Sequence, residues 1–330
     1  MPIPAPPSPE PARSIGARGG ETPSRIGKLG LNAQGLPDQA AIDRLYEERD
    51  FQRACQAYLW ALPIVSYGQW QNQHETVFGA GDGDIVIYRT VRDKLGIITA
   101  NATTPYVLGF VNTARTGPVL VNVPAGEIAG GFGDFWERNI TDIGVTGPDK
   151  GQGGRYLVLG PGQAPPTGVA FDHVARSPTF NVFHAFRILT EDAAEGARIL
   201  NGYQLYPAKD ATNPPKTRIV TPGGRPWSGT QPRGMAYWAR LNEMLQIEPV
   251  KEEDRLFMAM LKPLGIERGK PFAPNGAQAR ALADGAEIGQ LMAIANSFDK
   301  RFPTALRHGP LGSHGQRGPE PAVRVLFAAR

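Results

Sequence analysis

The middle of the chain contains short β-rich runs that only turn residues and loops separate. Val, Ile, Leu, Tyr and Phe are concentrated in the runs, and Gly, Pro, Asn and Asp lie between them without a helical segment. Because parallel strands need a helical crossover, this spacing predicts an antiparallel meander or sandwich. The predicted strands are Gly96–Ala100, Tyr106–Asn112, Val119–Val123, Tyr156–Leu159 and the strongly alternating Thr179–Leu189.

Helical periodicity flanks this region on both sides. Apolar residues at i, i+3, i+4 and i+7 begin near Asp38 and continue to Leu62, and Pro63 is predicted to end or kink the helix. A second group follows a connector rich in Pro and Gly. Its predicted helices are Met235–Leu245, Glu252–Leu261 and Gln278–Ser297. The chain is therefore predicted to be α+β.

The two ends of the chain differ in composition from the middle. Residues 1–36 carry few large apolar side chains, so they cannot bury enough surface to offset the entropy of ordering, and disorder is predicted. The last thirty residues are rich in Gly and Arg, which predicts a disordered or truncated tail. The predicted organisation is a tail at 1–36, a β domain with N-terminal helices at 37–206, a connector at 207–232, a helical subdomain at 233–300 and an atypical tail at 301–330.

Charge, cysteine content and hydropathy argue against several classes of protein. The net charge of +4 is dispersed rather than gathered in a basic stripe, so no nucleic-acid partner is expected. A single cysteine, Cys55, cannot form an internal disulfide or a cysteine-based zinc site. No signal peptide and no membrane span is predicted, so the expected location is cytoplasmic, or periplasmic if the start codon is misassigned.

Polar residues cluster at the predicted turn before the strand Tyr106–Asn112. Asn101, Thr103 and Tyr106 are predicted to bind a small polar ligand through amide and hydroxyl groups. The local alternative is that Asn101 and Thr104 cap the turn, with Pro105 setting its geometry.

A second polar cluster lies in the segment FGDFWERNITD. Along a strand, Asp134, Trp136 and Arg138 would share one face, which would suit a sugar or a carboxylated ligand. Glu137 and Asp142 are candidates for acid–base chemistry, although the sequence does not place them close together. The alternative is a surface ion pair beside a packed tryptophan.

Amides, an imidazole and aromatic rings also occur together after Pro63. The stretch contains Gln71, Asn72, His74 and Glu75, and either a pocket lining or a solvated helix end accounts for them.

No metal or cofactor motif is present in the sequence. The histidines lack ligand spacing, and His184 is predicted to be a hydrogen-bonded core residue rather than a ligand. The glycine-rich segment Gly147–Tyr156 lacks the Gly-Lys-Ser/Thr of a phosphate loop, so a hairpin loop is predicted there. A nucleophile elbow and a dinucleotide fingerprint are also missing. No cofactor is therefore assigned, and a metal site is not predicted.

Several segments resemble the domain of unknown function 1254 family. They include ITANATTPY at Ile98–Tyr106, GPVLVNVPA at Gly117–Ala125 and IGVTGPDKGQGGRYLVLGPG at Ile143–Gly162. The resemblance implies a jelly-roll-like β-sandwich with helices around it. It also implies a second β domain, domain of unknown function 1214, which is expected to be missing here. Many relatives carry Asp-Thr where this chain has Thr103-Thr104, so the resemblance gives no role to a carboxylate at that position.

Three functions remain open from the sequence. The first is binding of a small polar or carbohydrate-like ligand by the two predicted clusters in the β domain. The second is an enzyme of undetermined reaction, hydrolysis being one candidate, which would need the missing second domain. The third is a structural or interaction module, for which a homo-oligomer is expected.

Overall fold

The computed structural model describes residues 19–97 and 100–298. Its strands are β1 (Gly20–Ser24), β2 (Gly27–Leu31), β3 (Ile85–Tyr88), β4 (Tyr106–Asn112), β5 (Val119–Val123), β6 (Ile128–Asp134), β7 (Asn139–Gly144), β8 (Gly154–Leu159), β9 (His173–Arg176), β10 (Asn181–Ile188), β11 (Gln204–Pro207) and β12 (Ile219–Val220). Its α-helices are α1 (Gln39–Gln73), α2 (Thr113–Thr116), α3 (Ala193–Gly202), α4 (Met235–Ile247), α5 (Arg255–Leu261) and α6 (Gly276–Phe298). The α+β prediction is confirmed.

Two larger sheets form the centre of the described structure. The six-stranded sheet has the order β12-β3-β4-β10-β6-β7, and the four-stranded sheet has the order β11-β5-β8-β9. Most pairs are antiparallel, but β12 pairs with β3 and β8 pairs with β9 in parallel. The sheets are thus mixed, which corrects the expectation of a wholly antiparallel arrangement.

Side chains of β4 alternate between two hydrophobic clusters. Leu108 and Phe110 belong to the cluster that includes the helices, whereas Val107 and Val111 belong to the cluster that includes side chains of the four-stranded sheet. Because successive strand residues point to opposite faces, the six-stranded sheet buries both of its faces. The central strand β10 is accordingly apolar on both sides.

The strand predictions agree well with the structure except at the first run. β4 and β5 have the predicted bounds, and β8 and β10 contain most of the predicted segments. In the first run, Gly96, Ile97 and Ala100 are not in a strand, and Ile98 and Thr99 lie outside the described residues. The Lys94 ammonium donates hydrogen bonds to the carbonyls of Asn101 and Thr104, in the turn that follows this run.

Helix α1 is longer than the sequence predicts. Asp38 caps its N-terminus by accepting a hydrogen bond from the Ala41 N–H, but the helix does not end at Pro63 and continues to Gln73. Ile64, Val65 and Tyr67 are completely buried, so tertiary packing holds the residues after the proline in the helix. The extended helix places the polar residues of its last turns beside the end of the six-stranded sheet.

A β-hairpin occupies part of the segment predicted to be a disordered tail. Strands β1 and β2 pair in antiparallel register, and Leu29 is buried. Arg44 of α1 donates a hydrogen bond to the Lys28 carbonyl. The prediction of disorder over 1–36 is therefore wrong for the described part, because contacts with α1 supply stability that the short segment lacks by itself. Residues 1–18 lie outside the described residues.

The C-terminal helices share a core with the β domain. Side chains of α4, α5 and α6 belong to the same hydrophobic cluster as α1 and one face of the six-stranded sheet. Helix α6 approaches α1 closely at Gly285. A Cβ atom at this position would lie 2.3 Å from the Cβ of Ala54, so the close approach requires glycine. No helix within 19–97 and 100–298 has a stretch long and apolar enough to cross a lipid bilayer. The predicted tail 301–330 lies outside the described residues.

Two histidines are buried in the core beside tyrosine hydroxyls. His74 Nε2 lies 2.8 Å from the hydroxyl of Tyr88, and His184 Nδ1 lies 3.0 Å from that of Tyr203. The prediction that His184 is a hydrogen-bonded core residue is confirmed. Burial lowers the pKa of each histidine from 6.5 to about 3, and for His74 the proximity of His184 acts in the same direction.

We expect these two histidines to make the protein less stable in acid. Each ring has a folded pKa below its unfolded pKa of 6.5, so its contribution is complete above pH 6.5 and is lost as pH falls toward about 3. The slope is at most about 1.4 kcal/mol per pH unit for each ring. NMR spectra of the ring nitrogens should show neutral rings at pH 5. A ring that titrates near 6.5 in the folded protein contradicts this prediction.

Candidate functional site

A polar cleft of about 460 Å³ lies where α1 and α4 meet the start of β10. Side-chain amides are the largest group in its lining, and they can both donate and accept hydrogen bonds. The amide residues are Gln71, Asn72, Asn181, Asn242 and Gln246. The charged residues are Glu75, Arg115, Arg240 and Glu243, and Gly68, Met244 and Ile247 complete the lining.

A buried carboxylate supports the cleft from behind Asn181. Glu248, the residue that follows α4, is 1% exposed. It accepts hydrogen bonds from the N–H of Phe180 at 2.6 Å and from the N–H and Nδ2 of Asn181 at 2.9 and 2.7 Å. Burial raises the pKa of Glu248, while these donors act in the opposite direction. The hydrogen bonds join the end of α4 to the start of β10.

The Asn181 side chain continues this network into the other walls of the cleft. Its Oδ1 accepts hydrogen bonds from Gln71 Nε2 at 3.0 Å and from Asn112 Nδ2 at 2.9 Å. Asn112 Oδ1 in turn accepts from the N–H groups of Ala114 and Arg115 and so caps α2. Both Gln71 and Asn181 are buried. Gln71 and Asn181 are thus held in position by contacts within the protein.

The two arginines of the cleft differ in how their donors are used. Arg115 donates from Nε and Nη2 to Asp82 and from Nη2 to Glu75. Arg240 donates from Nη1 to Glu243, while its buried Nε has no hydrogen-bond acceptor among the described residues. A buried donor without a partner costs about 1–3 kcal/mol. Arg240 thus has one buried donor that no described residue satisfies.

The first predicted ligand cluster forms a self-contained turn. Asn101 Oδ1 accepts hydrogen bonds from the N–H groups of Thr103 and Thr104, and the Asn101 N–H donates to the hydroxyl of Tyr106 at 2.9 Å. The Lys94 ammonium lies 4.7 Å from the centre of the Tyr106 ring. These contacts match the local alternative, in which Asn and Thr cap the turn.

The second predicted cluster is a turn rather than the continuous strand face that the sequence suggested. β6 ends at Asp134, whose Oδ1 accepts from the N–H groups of Trp136 and Arg138. Trp136 is buried against Trp60, at a ring distance of 4.8 Å. Arg138 forms an exposed ion pair with Glu253. The prediction that Asp134, Trp136 and Arg138 share one strand face is therefore wrong, because the strand ends at Asp134.

Glu137 adopts a left-handed backbone conformation in this turn, with φ of 58°. Burial, with a smaller effect of Asp134, raises its pKa to about 8. Asp142 is separated from it in the adjacent strand β7, where its carboxylate accepts from Asn139.

Strand register separates the two predicted clusters. Tyr106 pairs with Arg187 near one end of β10, and Asp134 pairs with Val182 near the other. The five residue steps from Val182 to Arg187 span about 16 Å. The six predicted ligand residues therefore form two groups rather than one pocket, and none of them lines the cleft of α1 and α4.

The sequence indicated one wall of the cleft but not the other. Gln71, Asn72 and Glu75 lie in the stretch for which a pocket lining was one interpretation. Arg240 and Asn242 carried no such signal, because polar residues on a helix are typical of its solvated face. The sequence does contain a signal for Glu248. An acidic residue at a helix C-terminus interacts unfavourably with the helix dipole, so hydrogen-bond donors are needed to stabilise it.

The glycine-rich segment is a loop in which the carboxylate of Asp149 accepts the hydrogen bonds of nearby donors. Asp149 accepts hydrogen bonds from the N–H groups of Gly144 and Gly153 and from the hydroxyl of Tyr156. Those donors are thus occupied by a carboxylate of the chain itself. Within the part of the chain that the structure describes, no three His, Cys, Asp or Glu side chains converge as metal ligands.

Comparisons with known proteins agree with the resemblance seen in the sequence. Residues 84–207 match the family model described as "Protein of unknown function (DUF1254)". The VPA0106 protein from Vibrio parahaemolyticus has a similar structure, with a TM-score of 0.55 and 16% sequence identity. The similarity covers 75% of this chain and 59% of that protein, and at this identity it shows the fold alone. No curated protein matches the sequence.

Proposed function

We propose that this chain, which resembles the DUF1254 family over residues 84–207, binds a small polar, carbohydrate-like ligand in the cleft between α1 and α4. The observation that carries the proposal is the amide-rich lining, because five amide side chains converge on one cleft of about 460 Å³. Amides that donate and accept match hydroxyl groups, which do the same. The volume lies within the range typical of small-molecule sites.

The fixed amide wall supports binding rather than simple solvation. Asn181 and Gln71 are held by hydrogen bonds to Glu248 and to each other, so a ligand would not have to order them. Preorganised groups lose less conformational entropy on binding, which leaves more of the interaction energy as affinity. The site differs from the two clusters predicted in the sequence, but the class of ligand is the same.

The finer architecture of the β region also belongs to this proposal. We infer a jelly-roll-like sandwich of the two sheets. Side chains of both sheets in one hydrophobic cluster support it, for example Val107 with Val121.

Filling the cleft is expected to abolish binding without unfolding the protein. Asn72 is partly exposed, lines the cleft and makes no side-chain hydrogen bond to a described residue. The Asn72→Trp side chain would therefore fill the cleft without breaking a hydrogen bond within the described structure. The full chain should be screened with neutral sugars, sugar acids and polyols by thermal shift, followed by calorimetry. A ligand at ten times its Kd stabilises the wild type by about 1.4 kcal/mol. We expect Asn72→Trp to weaken binding at least about tenfold.

The matched control is Gln56→Trp on the same helix. Gln56 is exposed and does not line the cleft, so this variant should bind like the wild type. If Asn72→Trp binds the ligand as tightly as Gln56→Trp does, the ligand lies elsewhere. If the wild type binds no compound of the panel, the proposed function is contradicted.

A further inference from the structure

The amides at the back of the cleft have a fixed hydrogen-bond direction. Both carboxylate oxygens of Glu248 accept from backbone N–H groups, and Oε1 also accepts from Asn181 Nδ2. Because an amide donates only through its nitrogen, the Oδ1 of Asn181 is left to face Gln71, and it accepts from Gln71 Nε2 at 3.0 Å. Gln71 therefore donates to this network, and the network makes no use of its acceptor, Oε1.

Gln71 Oε1 is an unused acceptor in the lining of the cleft. Gln71 lines the cleft and is 6% exposed. Its Oε1 accepts no hydrogen bond from a described residue, and it is not among the side-chain atoms that are shut off from solvent without a partner. The oxygen therefore keeps contact with solvent where Gln71 borders the cleft, and a ligand there can donate a hydrogen bond to it.

A carboxylate that is only partly used lies on the same wall. Glu75 is four residues after Gln71, in the single turn of π-helix that continues α1, and it also lines the cleft. Residues at this spacing lie on one face of a helix. Arg115 donates to Glu75 Oε1 at 3.3 Å but to Asp82 at 2.8 and 3.1 Å, and Glu75 Oε2 accepts from no described residue. This wall of the cleft thus presents two acceptors to a ligand.

The charges at the cleft favour a cationic ligand. Its ion pairs contain more carboxylates than guanidiniums, namely Glu75, Asp82 and Glu243 against Arg115 and Arg240. Both guanidiniums are already paired with carboxylates, and the Nε of Arg240 is buried. An ammonium group has three donors and no acceptor, so it matches a wall of acceptors with an excess of negative charge. A carboxylate on the ligand would be repelled there.

We infer that the ligand is an amino sugar, whose protonated amine donates hydrogen bonds to Gln71 Oε1 and to the Glu75 carboxylate while its hydroxyl groups bind other amides of the cleft. This inference rests on the proposed function and adds the chemical class of the ligand. Asn72 is available to the hydroxyl groups, because its side chain makes no hydrogen bond to a described residue.

Calorimetry with D-glucosamine, D-glucose and methylammonium on the full chain tests the inference, at about pH 6, below the pKa of an amino group. The wild type should bind D-glucosamine about tenfold more tightly than D-glucose, which lacks the charge. Methylammonium, which lacks the hydroxyl groups, should bind least. Added salt should weaken the binding of D-glucosamine and leave that of D-glucose unchanged.

Two substitutions on opposite sides of an ion pair should act in opposite directions. Glu75→Gln keeps the shape of the side chain but removes its charge. It should weaken D-glucosamine binding about tenfold and change D-glucose binding less than about threefold. Arg115→Gln removes the cation that shares Glu75, so it should strengthen D-glucosamine binding. The matched control is Glu252→Gln, at an exposed ion pair with Arg255 outside the cleft, and it should bind like the wild type.

The outcomes separate this inference from the proposed function. The inference is overturned, with the proposed function intact, if the wild type binds D-glucose as tightly as D-glucosamine. It is also overturned if Glu75→Gln binds D-glucosamine as tightly as Glu252→Gln does. Equal affinity for methylammonium overturns the amino-sugar class. If the wild type binds neither sugar, both proposals fail.

Discussion

Glu248→Ala is expected to lower the free energy of unfolding by about 3–5 kcal/mol. The substitution leaves the N–H groups of Phe180 and Asn181 and the Nδ2 of Asn181 without their acceptor. Buried donors that lose a charged partner are among the costlier defects in a protein interior. Chemical unfolding followed by circular dichroism measures the change.

The control for this prediction is Glu252→Ala, four residues further on. Glu252 is exposed, and its ion-pair partner among the described residues is exposed Arg255, so its loss should cost less than about 0.5 kcal/mol. Glu248→Gln should fall between the two, because the amide keeps one acceptor and places a second donor against the Phe180 N–H. Equal stability of Glu248→Ala and Glu252→Ala contradicts a supporting role for the buried carboxylate.

Gly285→Val is expected to destabilise the protein by about 3 kcal/mol. A Cβ atom at this position would lie 2.3 Å from Ala54 Cβ and 3.1 Å from the carbonyl carbon of Ala54, so the helices α1 and α6 would have to separate. Backbone cannot move away as a flexible side chain does, and overpacking of a core typically costs 1–3 kcal/mol, occasionally more. Urea unfolding of the wild type and the variant provides the measurement.

Gly196→Ala on α3 should raise the free energy of unfolding, whereas Gly285→Val lowers it. There the nearest atom to an added Cβ is Ile188 Cγ2 at 3.6 Å, an ordinary contact. Alanine in place of a helical glycine should therefore stabilise the protein by about 0.5–1 kcal/mol. If Gly285→Val and Gly196→Ala shift stability alike, helix propensity rather than the close approach of α1 and α6 controls both positions.

The sequence predicted strands whose signal is local better than it predicted elements that depend on distant contacts. β4 and β5 follow from runs of β-branched and aromatic residues between turns. Of the two outcomes predicted at Pro63, an end or a kink of the helix, the end is wrong, because the side chains that bury the helix after Pro63 come from remote parts of the chain. The hairpin at 20–31 was missed for the same reason, since α1 supplies its stability. Parallel pairing of β12 with β3 leaves no local signal.

The candidate site was predictable only on one side. The polar stretch after Pro63 indicated a pocket, and Gln71 and Asn72 lie in it. Asn181, however, cannot be distinguished in the sequence from the other residues of an alternating strand. Arg240 likewise resembles any polar residue of an amphipathic helix. The position of Asn181 in the site depends on contacts distant in sequence, because its side chain accepts from Gln71, 110 residues away, and donates to Glu248, 67 residues away. Asn101 and Asp134 drew attention because turn residues and ligand-binding residues share the same chemistry.

Helix α1 connects two regions of the protein that have different tasks. Ala54 meets α6, and Gln71 lines the cleft; seventeen residues along a helix correspond to about 25 Å. Substitutions near Ala54 should change how much protein is folded, and substitutions near Gln71 should change what the folded protein binds. Effects at sites this far apart usually add. Stability and ligand preference can therefore be engineered independently on a single continuous element.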